Sequence, residues 1–147
     1  MARVHNMPGE AKGALDVALK DAPNNPYALA AAGGWHIEIV RAGGAYLARY
    51  LYGATLERAS ALFDRAVHEA PGNVAVRYQI GLSLAGFNAA KYRARIAAEL
   101  KASVSASPET SYEKKIQARA GELLGLLNQD AHDAFDLRVR KYQGFAD

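Results

Sequence analysis

The sequence predicts an all-α fold made of antiparallel helical hairpins, about seven helices in all. Three observations predict it. Apolar residues recur at three- and four-residue spacing along most of the chain, and no segment alternates as a half-buried strand would. Alanine supplies 31 of the 147 residues, and alanine loses no side-chain entropy in a helix and lets neighbouring backbones approach. Proline, glycine and asparagine fall between the periodic segments, where stops and caps belong. With 50% hydrophobic and 22% charged residues, both signs interleaved, the composition is that of a globular protein and not of a disordered chain. Its length suits one domain over residues 1–147.

The first periodic segment runs from Gly9 to Asp21, with Ala11, Leu15, Ala18 and Leu19 on one face and Pro23 ending it. Asn25-Pro26 restarts a helix, because an asparagine oxygen satisfies orphan N–H groups and proline suits the first helical position. That helix carries Tyr27, Leu29, Trp35, Ile37 and Val40 and is expected to end near Gly43-Gly44. Tyr46, Leu47, Tyr50 and Leu51 then form an i, i+1, i+4, i+5 stripe before Gly53. This stretch reads either as a short extra helix or as a widened turn. Thr55 caps the next helix, striped by Leu56, Ala59, Phe63 and Ala66 and stopped at Pro71-Gly72. Asn73 opens a helix from Val74 to about Ala85, and another follows from Ala89 to about Val104. Ser107-Pro108-Glu109 combines a capping hydroxyl, a proline and an early acid, which predicts a long helix starting there. After a break at Asn128 to Asp130, Ala131, Phe135, Val139 and Tyr142 stripe a last helix.

A repeat underlies this order. Ala11, Leu15, Ala18, Pro23, Asn25 and Gly33 return as Ala59, Phe63, Ala66, Pro71, Asn73 and Gly81, at a constant offset of 48. Small residues at Ala18, Gly33, Ala66 and Gly81 let helices touch, while Leu15 and Phe63 fill the gap to the next pair. Ala59, Phe63, Ala66 and Pro71, followed by Ile80-Gly81, resemble the tetratricopeptide repeat. The resemblance covers about residues 5–100 and leaves helices 108–143 as divergent or capping elements. It departs from the family pattern at Leu29 and Arg77, which stand at the tryptophan position, and at His36 and Leu84, at the tyrosine position. Its period is also longer than the usual ~34 residues. The resemblance implies a short α-solenoid of stacked hairpins acting as a protein-interaction module. Measured back from Pro23, residues 1–7 read as the tail of a first helix whose start is missing, so the chain is expected to be a fragment of a longer polypeptide or else a repeat array with an irregular opening.

Chemistry is sparse in this chain. Without cysteine there are no thiol nucleophiles, cysteinyl zinc sites or disulfides. No serine sits in a nucleophile elbow, and Gly81-x-x-x-x-Gly86 lacks the Lys-Ser/Thr of a phosphate loop. His132 and Asp136 have metal-ligand spacing with Asp130 and Asp133 nearby, but no third ligand of clear geometry, while His36 reads as a packed histidine and His68 as a cation at a helix end. Basic runs at Lys91 to Arg95, Lys114-Lys115 and Arg138 to Lys141 are mixed with acids and read as solvated faces, not a nucleic-acid surface. No apolar run reaches the ~20 residues of a membrane span. We therefore expect no enzyme activity, metal or cofactor.

What remains is a binding surface. In the resembled family the first helix of each pair lines a concave groove, which implies Tyr27, Ile37 and Glu38 from one helix and Tyr78 and Leu82 from another. Such a groove is apolar and aromatic and suits a protein or peptide partner, as an amphipathic helix or an extended segment; the competing expectation is that the insertion or the C-terminal helices cover these residues and make them core. Two further readings stand beside it: self-association as a homodimer through Tyr46 and Tyr50, and carriage of a small apolar ligand. A cytoplasmic location is expected, or a periplasmic one if a signal peptide has been removed.

Overall fold

Asn25 shows how local chemistry sets the helices. Its side-chain oxygen accepts the backbone N–H of Tyr27 at 3.0 Å and of Ala28 at 3.1 Å, opening the helix at Pro26. Asn73 does the same for Val76, Thr55 for Arg58 and Thr110 for Glu113. Each such cap is worth about 1 kcal/mol of helix stability. The structure is a computed structural model and describes residues 7–145, among which all regular structure is helical. The helices are α1 (Met7–Asp21), α2 (Pro26–Tyr52), α3 (Leu56–Glu69), α4 (Val74–Asn88), α5 (Arg93–Ser105), α6 (Ser111–Asn128) and α7 (His132–Tyr142). The chain, read above as one domain, divides into two compact units, Met1–Ala70 and Pro71–Asp147.

In the N-terminal unit α2 packs on both α1 and α3. The pairings run antiparallel. The Trp35 indole donates to the carbonyl of Pro8, near the start of α1. Arg65, late in α3, donates to Pro23, while His36 pairs with Thr55 at the opposite end. Leu29, Ile37, Phe63, Ala59 and Ala66 are buried between the helices. Gly33 is what lets α2 and α3 close: a Cβ there would stand 2.5 Å from a ring carbon of Phe63.

α2 is not one straight rod. Gly44 adopts φ 75° and ψ 160°, a backbone state that essentially only glycine occupies. The helix therefore breaks into two, and residues 45–52 form a helical segment of their own. The Tyr-rich stretch is thus a helix and not a widened turn. Gly53, left-handed at φ 65°, ends it by donating to the carbonyls of Ala48 and Arg49.

In the C-terminal unit α4 is the central helix, touching α5, α6 and α7. That is why it is buried on nearly every side, from Val74 through Ala85. Its start meets the end of α5, where the Ser103 hydroxyl donates to the Val74 carbonyl at 2.9 Å. Farther along, Gly81 packs closely on Leu100, where a Cβ would stand 3.2 Å from a leucine methyl. The repeat seen in the sequence thus has a structural echo within each unit: an Asx-capped helix whose glycine meets the helix that follows. Glu99 is buried yet doubly compensated, by Arg77 at 3.0 Å and Arg95 at 2.8 Å, as a buried carboxylate must be. The Gln117 amide reaches the carbonyls of Ser103, Val104 and Ala106 and so closes the end of α5.

Two expected starts move. α6 begins at Ser111 and not at Ser107-Pro108, because Thr110 caps Glu113 and the Glu113 carboxylate reaches back to the N–H of Glu109 at 2.6 Å. The two contacts satisfy the N–H groups of Glu113 and Glu109 and fix the helix start at Ser111. α5 begins at Arg93, not Ala89, after a turn in which Asn88 accepts the N–H of Lys91.

Candidate functional site

The segment 45–52 has two unlike faces. Ala48 packs inward and is fully buried, with Ala54 behind it, and Tyr52 meets the Trp35 ring edge-on at 6.2 Å. On the opposite arc Tyr46 is 79% exposed and Tyr50 77%, with Leu47 and Leu51 exposed beside them. The two tyrosine rings stack in parallel, with centroids 6.4 Å apart and planes 2° from each other. Helical spacing produces the stripe, since residues four apart share a face, and the break at Gly44 together with the stop at Gly53 confines it. Arg49 lies at its edge, exposed. The sequence from Ile39 to Leu56 holds Arg41 and Arg49 and no acidic residue. Arg41 is bound to Glu38 at 2.6 Å.

Three of the five residues expected to line a groove are buried. Ile37 is 1% exposed, Tyr78 4% and Leu82 6%, so all three are interior positions. For Tyr78 and Leu82 the reason is coverage by the C-terminal helices: Gln143, just past α7, donates to the Leu82 carbonyl, and α6 also packs on α4. Tyr27 is exposed at the start of α2, and Glu38 is half-buried and engaged with Arg41.

A second feature, which the sequence did not announce, is a cleft of about 240 Å³ among α1, α2 and α3. Trp35, Leu15 and Leu62 form apolar walls, while Lys12, His36 and Arg58 bring polar groups to it. Burial pushes the His36 imidazole below its usual range, and the nearby charges of Arg58 and Lys12 act in the same direction against the weaker pull of Asp16. Its Nδ1 accepts the N–H of Thr55 at 3.3 Å.

In the C-terminal unit an aromatic and charged cluster joins α6 to α7. The Tyr142 hydroxyl donates to Glu122, Arg138 pairs with Glu122 at 3.1 Å, and Arg119 stacks over the Tyr142 ring at 4.8 Å. Next to it the Tyr78 hydroxyl is buried with no well-formed hydrogen bond among the described residues. Desolvation dominates there and pushes the phenol up to about 12, the nearby Arg119 offsetting only part of it.

Three arginines of the basic runs are committed to intramolecular pairs: Arg93 with Asp130 at 2.7 Å, Arg95 with Glu99 and Arg138 with Glu122. Among the described residues no three histidine, aspartate or glutamate side chains gather as a metal site would require, and His5 lies outside them. No helix among the described residues is long and apolar enough to cross a membrane. Set against models of known families, curated proteins and solved structures, the chain matches none.

Proposed function

We propose that this chain is a non-enzymatic protein-interaction module built on tetratricopeptide-like helical hairpins, and that it meets its partner through the outward stripe of α2. One observation carries the reading: Tyr46 and Tyr50 are each more than three-quarters exposed, side by side, on a helix held in place by a buried alanine. Tyrosines of this size contribute roughly 150 Å² each when covered, and with Leu47 and Leu51 the stripe reaches the several hundred Å² typical of interaction patches. The hairpin reading is supported by the Asx caps and close glycine contacts that recur at the 48-residue offset, Asn25 and Gly33 against Asn73 and Gly81.

The partner is an amphipathic helix with an acidic edge. Its apolar face answers the tyrosines and leucines, and its carboxylates answer Arg49 at the border of a segment that has no acid of its own. A second copy of the chain suits the site less well, because like-charged Arg49 side chains would approach one another and the stripe alone falls below the ~1,000 Å² expected of a stable dimer.

The test is a titration with designed amphipathic helices that share one apolar face and differ in acidic or basic edges. Binding of the acidic-edged helix, weakened about tenfold or more by Tyr46→Ala or Tyr50→Ala with helicity unchanged, supports the proposal. Equal binding by the two helices refutes it. A concentration-dependent dimer that Tyr50→Asp converts to monomer assigns the surface to self-association instead.

A further inference from the structure

We infer that the cleft among α1, α2 and α3 of the N-terminal unit is a binding site for a small amphipathic carboxylate. The argument begins with its unspent donors. His36 Nδ1 accepts the Thr55 N–H, which places the proton of the neutral ring on Nε2, where no partner exists among the described residues. Arg58 gives Nη1 to the Gly53 carbonyl at 2.8 Å and has no acidic partner among the described residues. The other charges cancel, since Lys12 holds Asp16 at 2.8 Å. The cleft therefore offers one uncompensated cation and one neutral N–H donor, a set that suits an anion with a flat carboxylate head.

Its walls decide the rest of the ligand. Trp35 has its own N–H occupied by Pro8, so its ring serves the cleft as an apolar surface, joined there by Leu15. A volume of about 240 Å³ equals roughly eight water-sized volumes of ~30 Å³, enough for a medium-chain or single-ring acid and below the ~300–1,000 Å³ of sites for larger ligands. None of these residues belongs to segment 45–52, so the inference stands or falls apart from the interaction surface proposed above.

Trp35 is the chain's one tryptophan and lines the cleft, so its fluorescence reports occupancy directly. The full chain is titrated with octanoate, octan-1-ol and octylammonium below their aggregation thresholds. A saturable change with octanoate is expected, at least tenfold tighter than with octylammonium or octanol. Arg58→Gln should weaken octanoate about tenfold, Arg58→Glu should turn the preference toward octylammonium, and Tyr50→Ala should leave the titration unchanged. Similar responses to all three amphiphiles, no saturation with octanoate, or wild-type affinity in both Arg58 variants would overturn the assignment.

Discussion

The Cα of Gly33 lies so close to Phe63 that a Cβ there would meet the ring at 2.5 Å and the Ala59 carbonyl at 3.2 Å. Phe63 is itself buried and has nowhere to retreat. Gly33→Ala should cost about 2–3 kcal/mol through overpacking, even after the ~1 kcal/mol that alanine gains over glycine in a helix. Gly81→Ala meets Leu100 at 3.2 Å and should cost about 1 kcal/mol or less, because an aliphatic side chain yields a few tenths of an ångström more readily. Denaturant unfolding of both variants, with Phe63→Leu rescuing Gly33→Ala, checks the difference.

Gly44 should respond for another reason. A Cβ there meets nothing within 4 Å, yet φ is +75°, so Gly44→Ala is penalised by the backbone alone, by about 1–3 kcal/mol. Its effect should concentrate in residues 45–52, read as faster amide exchange there. Gly13, in α1 with a clear Cβ position and ordinary φ, is the matched control: Gly13→Ala should stabilise by up to ~1 kcal/mol.

Much of this was legible in the sequence. The caps at Asn25, Thr55 and Asn73, the break at Gly43-Gly44 and the close contacts of Gly33 and Gly81 all follow from local chemistry or from residue size at a fixed offset. Legibility ended where distant chain decides the outcome. Tyr78 and Leu82 sit on a helix whose apolar positions surround it, and periodicity alone does not say that α6 and α7 cover the face a groove would need. The start of α6 was misplaced because two capping signals lie three residues apart and the Thr110 cap, backed by the Glu113 carboxylate on the Glu109 N–H, prevailed. The cleft beside Trp35 was invisible for a similar reason: Lys12, His36 and Arg58 come from three different helices.

The buried Tyr78 hydroxyl yields a prediction of opposite sign to most core substitutions. It has no well-formed hydrogen bond among the described residues, so Tyr78→Phe removes a desolvated polar group while keeping the ring. Stability should hold or rise by about 1 kcal/mol, whereas Tyr78→Ala should lose about 3–5 kcal/mol. Chemical unfolding of the two variants separates these outcomes.

Stability should also depend on pH through His36. Burial lowers its folded-state pKa from the ordinary 6.5, so the unfolded chain takes up the proton first. The contribution of the neutral ring is whole above about 6.5 and is lost as pH falls through that value to the folded one. His36→Gln, which keeps an acceptor for the Thr55 N–H, should flatten this part of the profile. Melting curves of both proteins between pH 7.5 and 5, compared as a difference, test it; an unchanged slope in the variant contradicts the assignment.

The most direct measurement is amide chemical-shift mapping of the full chain titrated with the acidic-edged amphipathic helix. The account predicts saturable shifts centred on residues 45–52 that vanish in Tyr46→Ala/Tyr50→Ala. Shifts centred elsewhere on the chain, or none at millimolar peptide where even weak complexes of about −4 kcal/mol are populated, would contradict it.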